Sequence, residues 1–120
     1  MPRPLVVKVT CGPEEPERCN QGFTVAATAL AAGSEVSLWL TGEAAWFGVP
    51  GRAETFELPL AAPLVELLEA VLAGGRVTVC SQCAARREIT EDAVRPGIRI
   101  AGAALFAEEA LREDAQALVY

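Results

Sequence analysis

Not one of the 120 residues is a histidine. That absence removes every Cys–His and Ser–His nucleophile pair, and every zinc site that needs imidazole. A cysteine nucleophile here has to be activated by backbone dipoles or by arginine instead. No apolar run approaches the roughly 20 residues of a membrane span. No glycine-rich phosphate loop is present: Gly74-Gly75 precedes a strand, the wrong side for one. No basic patch is visible, and the net charge of −6 argues against nucleic-acid or anionic-membrane binding. The start, Met1-Pro2-Arg3-Pro4, is followed by only three apolar residues before Lys8, which does not read as a signal peptide. The expectation is a cytoplasmic protein, whose cysteines stay reduced unless they bind metal or do redox work. The acidic residues are spread along helix faces and read as solubility charges, with no catalytic carboxylate pair among them. No cofactor is implied.

Hydrophobic residues make up 52% of the chain, much of it alanine, which is enough for one domain over residues 1–120 with a real core. Residues 5–9 read as a buried strand. Pro16 suits the first turn of a helix over about 17–32 that closes at Gly33. In that helix Phe23, Ala26, Ala27 and Leu30 fall at spacings of three and four and form one face. Residues 35–40 read as a second strand, followed by an edge segment that carries Trp46-Phe47. In a chain with few aromatics this pair reads as core or subunit interface, with a partner-binding wall as the sharper alternative. Residues 52–60 look like a surface connection.

The clearest helix spans about 61–73, with a stripe of Leu64, Leu67, Leu68, Val71 and Leu72. Residues 76–79 form the next strand. After it come a short turn or loop at 89–97, a strand at 98–100 and a helix at about 102–113. That helix is expected to turn Leu105, Phe106 and Leu111 inward and Glu108, Glu109 and Arg112 outward. Residues 117–120 read as a last strand. Strict alternation of strand and helix predicts an α/β fold, a three-layer α/β/α sandwich on a mainly parallel sheet of about five strands.

The chemistry gathers at Val77-Thr78-Val79-Cys80-Ser81-Gln82-Cys83-Ala84-Ala85-Arg86-Arg87. A β-branched run leads into a Cys-x-x-Cys that opens a helix. Cys80 then lies at the carboxyl end of a strand and the amino end of a helix, where backbone N–H groups and the helix dipole favour a thiolate. Arg86 and Arg87 would add positive charge if they point back, and are otherwise a solvated helix end. Four readings stay open: a sulfur-handling nucleophile at Cys80, a dithiol in which Cys83 resolves Cys80, half of a zinc site, or two inert buried cysteines. Cys11 ends the first strand on the same sheet edge, so it too is a candidate for the site. Cys19 reads as a buried small residue. Seven residues between Cys11 and Cys19 is not a zinc-knuckle spacing.

The same residues carry a resemblance. Val-Thr-Val-Cys80, then Ala84-Ala85-Arg86-Arg87-Glu88-Ile89 and Gly97-Ile98-Arg99-Ile100-Ala101-Gly102-Ala103-Ala104, are similar to the DsrE/DsrF-like family of sulfur-relay proteins (the DsrE/TusD type). Leu5-Val6-Val7-Lys8-Val9-Thr10 and Val36-Ser37-Leu38-Trp39-Leu40-Thr41-Gly42-Glu43 extend it over nearly the whole chain. The resemblance implies that Cys80 carries persulfide sulfur between donor and acceptor proteins. On that reading Cys83 would release the sulfur by closing a disulfide or protect Cys80, and Cys11, Ser81, Arg86 and Arg87, at the same edge and helix start, are the candidates to bind the cargo. It also implies a homotrimer or homohexamer. The chain departs from the family in two places: Glu88 stands where glycine often follows the arginine pair, and relay members need no second cysteine at the Cys83 position. A thiol oxidoreductase or peroxide-reducing protein using Cys80 and Cys83, and a non-catalytic scaffold with structural or metal-binding cysteines, remain the alternatives.

Overall fold

β-Branched runs alternate with alanine- and leucine-rich segments, and each adopts the structure its pattern favours. The computed structural model describes residues 3–120; Met1 and Pro2, which open the segment read as lacking a signal peptide, lie outside it. The strands are β1 (Leu5–Val9), β2 (Val36–Leu40), β3 (Arg76–Cys80), β4 (Arg99–Ala101) and β5 (Gln116–Val119). The α-helices are α1 (Pro16–Ala31), α2 (Leu64–Gly74), α3 (Ser81–Arg86) and α4 (Ala103–Ala110). A 3-10 stretch at Gly42–Gly48 follows β2.

All pairings are parallel, in the order β4-β3-β2-β1-β5. Alternation along the strands gives the sheet two different faces. Val7, Val9, Leu38, Leu40, Val77 and Val79 point into the main core with Phe23 and Ala26 of α1 and Leu64, Leu68 and Val71 of α2. The opposite face carries Lys8, Ser37, Trp39, Thr78 and Arg99, and α4 crosses it between the two edge strands. The expected three layers are present, with one short helix forming the third. No helix among the described residues is long and apolar enough to cross a membrane.

Several details differ from the sequence reading. Helix α2 starts at Leu64 rather than near 61, because Pro63 holds an extended backbone (φ −56, ψ 132) and only then can the helix begin. The aromatic pair divides. Phe47 is buried, edge-on to Phe23 and Phe56 at 5.8 Å each, while Trp46 is half-buried with the Arg52 guanidinium 4.1 Å above its ring. Helix α4 stops at Ala110, three residues short of the expected end, and is turned so that Leu111 is 82% exposed while Glu109 is only 7% exposed. The reason is the polar face below it, where Glu109 finds donors and a leucine would find none.

Glu88, just past α3, adopts φ +55. A side chain in this left-handed region costs about 1–2 kcal/mol, and glycine enters it freely. Glycine is what the resemblance expects there. Glu88→Gly should therefore raise stability by roughly 0.5–1 kcal/mol, after the entropy that glycine adds to the unfolded chain. A urea midpoint at or below that of the wild type would refute this.

Candidate functional site

Cys80 is the last residue of β3 and the N-cap of α3, with an extended backbone (φ −62, ψ 128). Its side chain is half-buried on the α4 side of the sheet, since Val77 and Val79 take the core side. Burial alone would raise the Cys80 thiol. The backbone N–H groups of Cys83 and Gln82, the Cys83 thiol and the Lys8 ammonium outweigh it and hold the thiol below its ordinary range. Donors aimed at a sulfur favour the anion, which is the nucleophilic form.

Cys83 lies one turn further, half-buried against the core. Its sulfur accepts the Gly42 N–H at 3.2 Å and interacts with the Cys80 sulfur. Gly42 adopts φ +53, and a Cβ there would lie 2.5 Å from the Thr10 carbonyl oxygen. Only glycine brings this N–H to the Cys83 sulfur so close to the end of β1. Ser81, half-buried in the first turn of α3, faces the β4–α4 turn: its Oγ lies 3.1 Å from where a Cβ on Gly102 would stand. All four cysteines are free thiols.

A parallel five-stranded α/β sheet of this kind has a known counterpart. The model of the DsrE/DsrF-like family matches residues 5–116. The chain belongs to the DsrE/DsrF-like family. The crystal structure of the ychN protein from E. coli is similar in fold, with a TM-score of 0.81 at 19% identity over 98% of this chain and 99% of that one. No curated protein matches the sequence.

On this DsrE-like frame the other expected site residues spread out. Arg87 turns away from the sulfurs: its Nε and Nη2 donate to Glu43 Oε2 at 3.0 and 2.8 Å, and its Nη1 donates to the Cys83 carbonyl at 3.2 Å. It ties the end of α3 to the 3-10 stretch that carries Gly42. Arg86 is exposed. Cys11 belongs to the main core, whereas Cys80 faces α4, so the two do not share a face. Burial pushes the Cys11 thiol up, against the pull of Arg18. Cys19 is fully buried, and burial with the neighbouring Cys11 and Glu14 pushes its thiol up to about 12. Both are poor nucleophiles at neutral pH. Among the described residues no three Cys, Asp or Glu side chains gather as a metal would require.

Two residues escaped the sequence reading. Lys8 supplies the side-chain charge that acts on Cys80, in place of the arginines. Its signal was a lone cation inside an otherwise apolar strand. Glu109 was read as a solubility charge. Its Oε1 instead accepts from Ser37 Oγ at 2.6 Å and Trp39 Nε1 at 2.9 Å, and its Oε2 accepts from Arg99. Arg99 Nε also donates to Thr78. Burial would raise the Glu109 carboxyl, and these donors outweigh it and hold it below the usual range. The network fastens α4 to β2 and β4, beside the row that leads to Cys80.

Proposed function

We propose that Cys80 carries sulfane sulfur as a persulfide between proteins in a sulfur relay, as the family implies. The observation that carries the reading is the Cys80 sulfur at the strand-to-helix turn, with two backbone N–H groups and one ammonium favouring its anion. The Cys80 thiolate attacks the outer sulfur of a donor persulfide, R–S–SH. A new S–S bond forms, the donor's S–S bond breaks, and R–S⁻ leaves. An acceptor thiolate then attacks the outer sulfur on Cys80, which returns to thiolate. No oxidant is consumed in either step.

Cys83 supports a second outcome. Its thiol can attack the inner sulfur of the persulfide, forming a Cys80–Cys83 disulfide and releasing hydrogen sulfide. The Cys83 thiol one helical turn from Cys80 also supports a thiol oxidoreductase that cycles through that disulfide without added sulfur. Ser81 and the exposed Arg86 form the rim that an incoming protein would touch. The family favours a homotrimer or homohexamer, the exposed Val119 of β5 and Leu111 give such an assembly apolar surface to cover, and reduced thiols favour the cytoplasm.

The test is peptide mass spectrometry with alkylation on anaerobically purified protein, before and after a low-molecular-weight persulfide donor. The carrier reading expects the mass of one sulfur atom on the peptide holding Cys80, abolished in Cys80→Ser. Unreactive free thiols throughout would overturn it in favour of a scaffold. A Cys80–Cys83 disulfide formed without added sulfur would move the assignment to an oxidoreductase.

A further inference from the structure

Strand register places Lys8, Trp39 and Thr78 in one row across β1, β2 and β3, all on the face under α4. Cys80 is the next residue of β3 on that same face, about 10 Å across two strand spacings from β1. The Lys8 side chain bridges part of that gap: its Nζ stands 4.0 Å above the centroid of the Phe106 ring. Phe106 lies in the first turn of α4, and α4 begins just after Ala101, the register partner of Cys80. Phe106, Lys8 and Cys80 therefore border one strip beneath the start of α4.

The other charges near this strip already have partners. Arg99 and Glu109 are joined to each other and to Thr78, Ser37 and Trp39. Arg87 is held by Glu43 on the far side of α3, and Arg86 is exposed. Among the described residues no carboxylate lies within ion-pair distance of Lys8, which is half-buried over an aromatic ring. A half-buried cation is stabilised by an anion, and with the Glu109 carboxylate taken up by Ser37, Trp39 and Arg99, the anion left on this face is sulfur on Cys80. Lys8 is also the only lysine among ten basic residues. An ammonium is a compact charge on a flexible stem, able to follow a sulfur that moves outward by an S–S bond of about 2 Å.

We propose that Lys8 is the counter-ion of the anionic sulfur at Cys80, holding both the thiolate and the outer sulfur of its persulfide under the start of α4. The persulfide half of this inference rests on the carrier reading, and the thiolate half stands without it. Lys8 acts on the charge of the cargo and forms no bond to it.

The experiment measures iodoacetamide alkylation of Cys80 against pH in a Cys83→Ser background, with Lys8 intact, Lys8→Met and Lys8→Arg. Lys8→Met should move the profile to higher pH and leave about threefold less thiolate at neutral pH. Lys8→Arg should restore most of it, because the charge returns. Superposable profiles for Lys8→Met and the intact protein, at matched melting temperature, would overturn the inference. An unfolded Lys8→Met is covered by a second measurement that needs no variant at Lys8. With ¹³C,¹⁵N-lysine, the single lysine side-chain signal should shift when Cys80→Ser removes the thiolate and when persulfide donor loads the wild type. A signal that ignores Cys80→Ser also overturns the inference. A shifted profile in a protein that takes up no sulfur leaves Lys8 as the thiolate's counter-ion and overturns the carrier reading alone.

Discussion

Glu109→Ala is expected to destabilise the protein by about 3–5 kcal/mol, the cost of leaving two buried donors, the Ser37 hydroxyl and the Trp39 N–H, without their acceptor. The carboxylate accepts from three side chains on two strands: Ser37 and Trp39 of β2, and Arg99 of β4. Removing it leaves the buried Ser37 hydroxyl and Trp39 indole N–H beneath α4 with no acceptor, while Arg99 keeps only its bond to Thr78. Helix α4 has only eight residues, and its Leu105 and Phe106 are half-buried, so little else fastens it. A fall in melting temperature of roughly 10 °C or more should follow. Glu109→Gln keeps the volume and one acceptor but turns an amide NH2 toward a donor. It should cost less, about 2 kcal/mol.

The pH dependence has a definite sign. The folded protein holds the Glu109 carboxyl below its usual range, so the carboxylate stabilises the fold fully above the unfolded value of about 4.3. That contribution is lost as pH falls through the folded value. The stability gap between wild type and Glu109→Gln, measured by denaturant titration, should therefore be widest near neutrality and narrow in acid. A Glu109→Ala protein melting within a degree or two of wild type would refute the role of the network.

Periodicity reported the core face well because apolar burial repeats every two residues in strands and every three or four in helices. Phe23, Ala26, Leu64, Leu68 and Val71 were legible for that reason. The polar face was not legible, because a charge in a sequence looks the same whether it meets water or a partner far away in the chain. Ser37, Trp39 and Glu109 are separated by 72 and 70 positions along the chain, and only the crossover of α4 brings them together. Lys8 was passed over in the same way: a cation inside LVVKV reads as a minor interruption until the register of β1 against β2 and β3 gives it the face of Cys80. The cysteine turn was legible because its cues are local, a β-branched run meeting a helix start. The direction of the arginines after it was not legible, because Glu43, which holds Arg87, lies 44 residues away.

Gly42→Ala should combine a loss of stability with a change at the site. The backbone there is left-handed (φ +53), which costs an alanine about 1–3 kcal/mol. The added Cβ would also stand 2.5 Å from the Thr10 carbonyl oxygen, a backbone atom that cannot swing aside. Relief requires the 3-10 stretch to move off the end of β1, and its first N–H is the donor to Cys83 at 3.2 Å. The expected result is a loss of about 2–4 kcal/mol in denaturant unfolding, with Cys83 alkylated faster relative to Cys80. Gly42→Asn separates the two causes. Asparagine tolerates the left-handed conformation better than alanine but brings the same Cβ. Equal damage from both variants assigns the requirement to the contact with Thr10, and a milder asparagine assigns it to the dihedral. Wild-type stability in Gly42→Ala, with the ratio of Cys83 to Cys80 alkylation unchanged, would show that Gly42 does not hold the second sulfur.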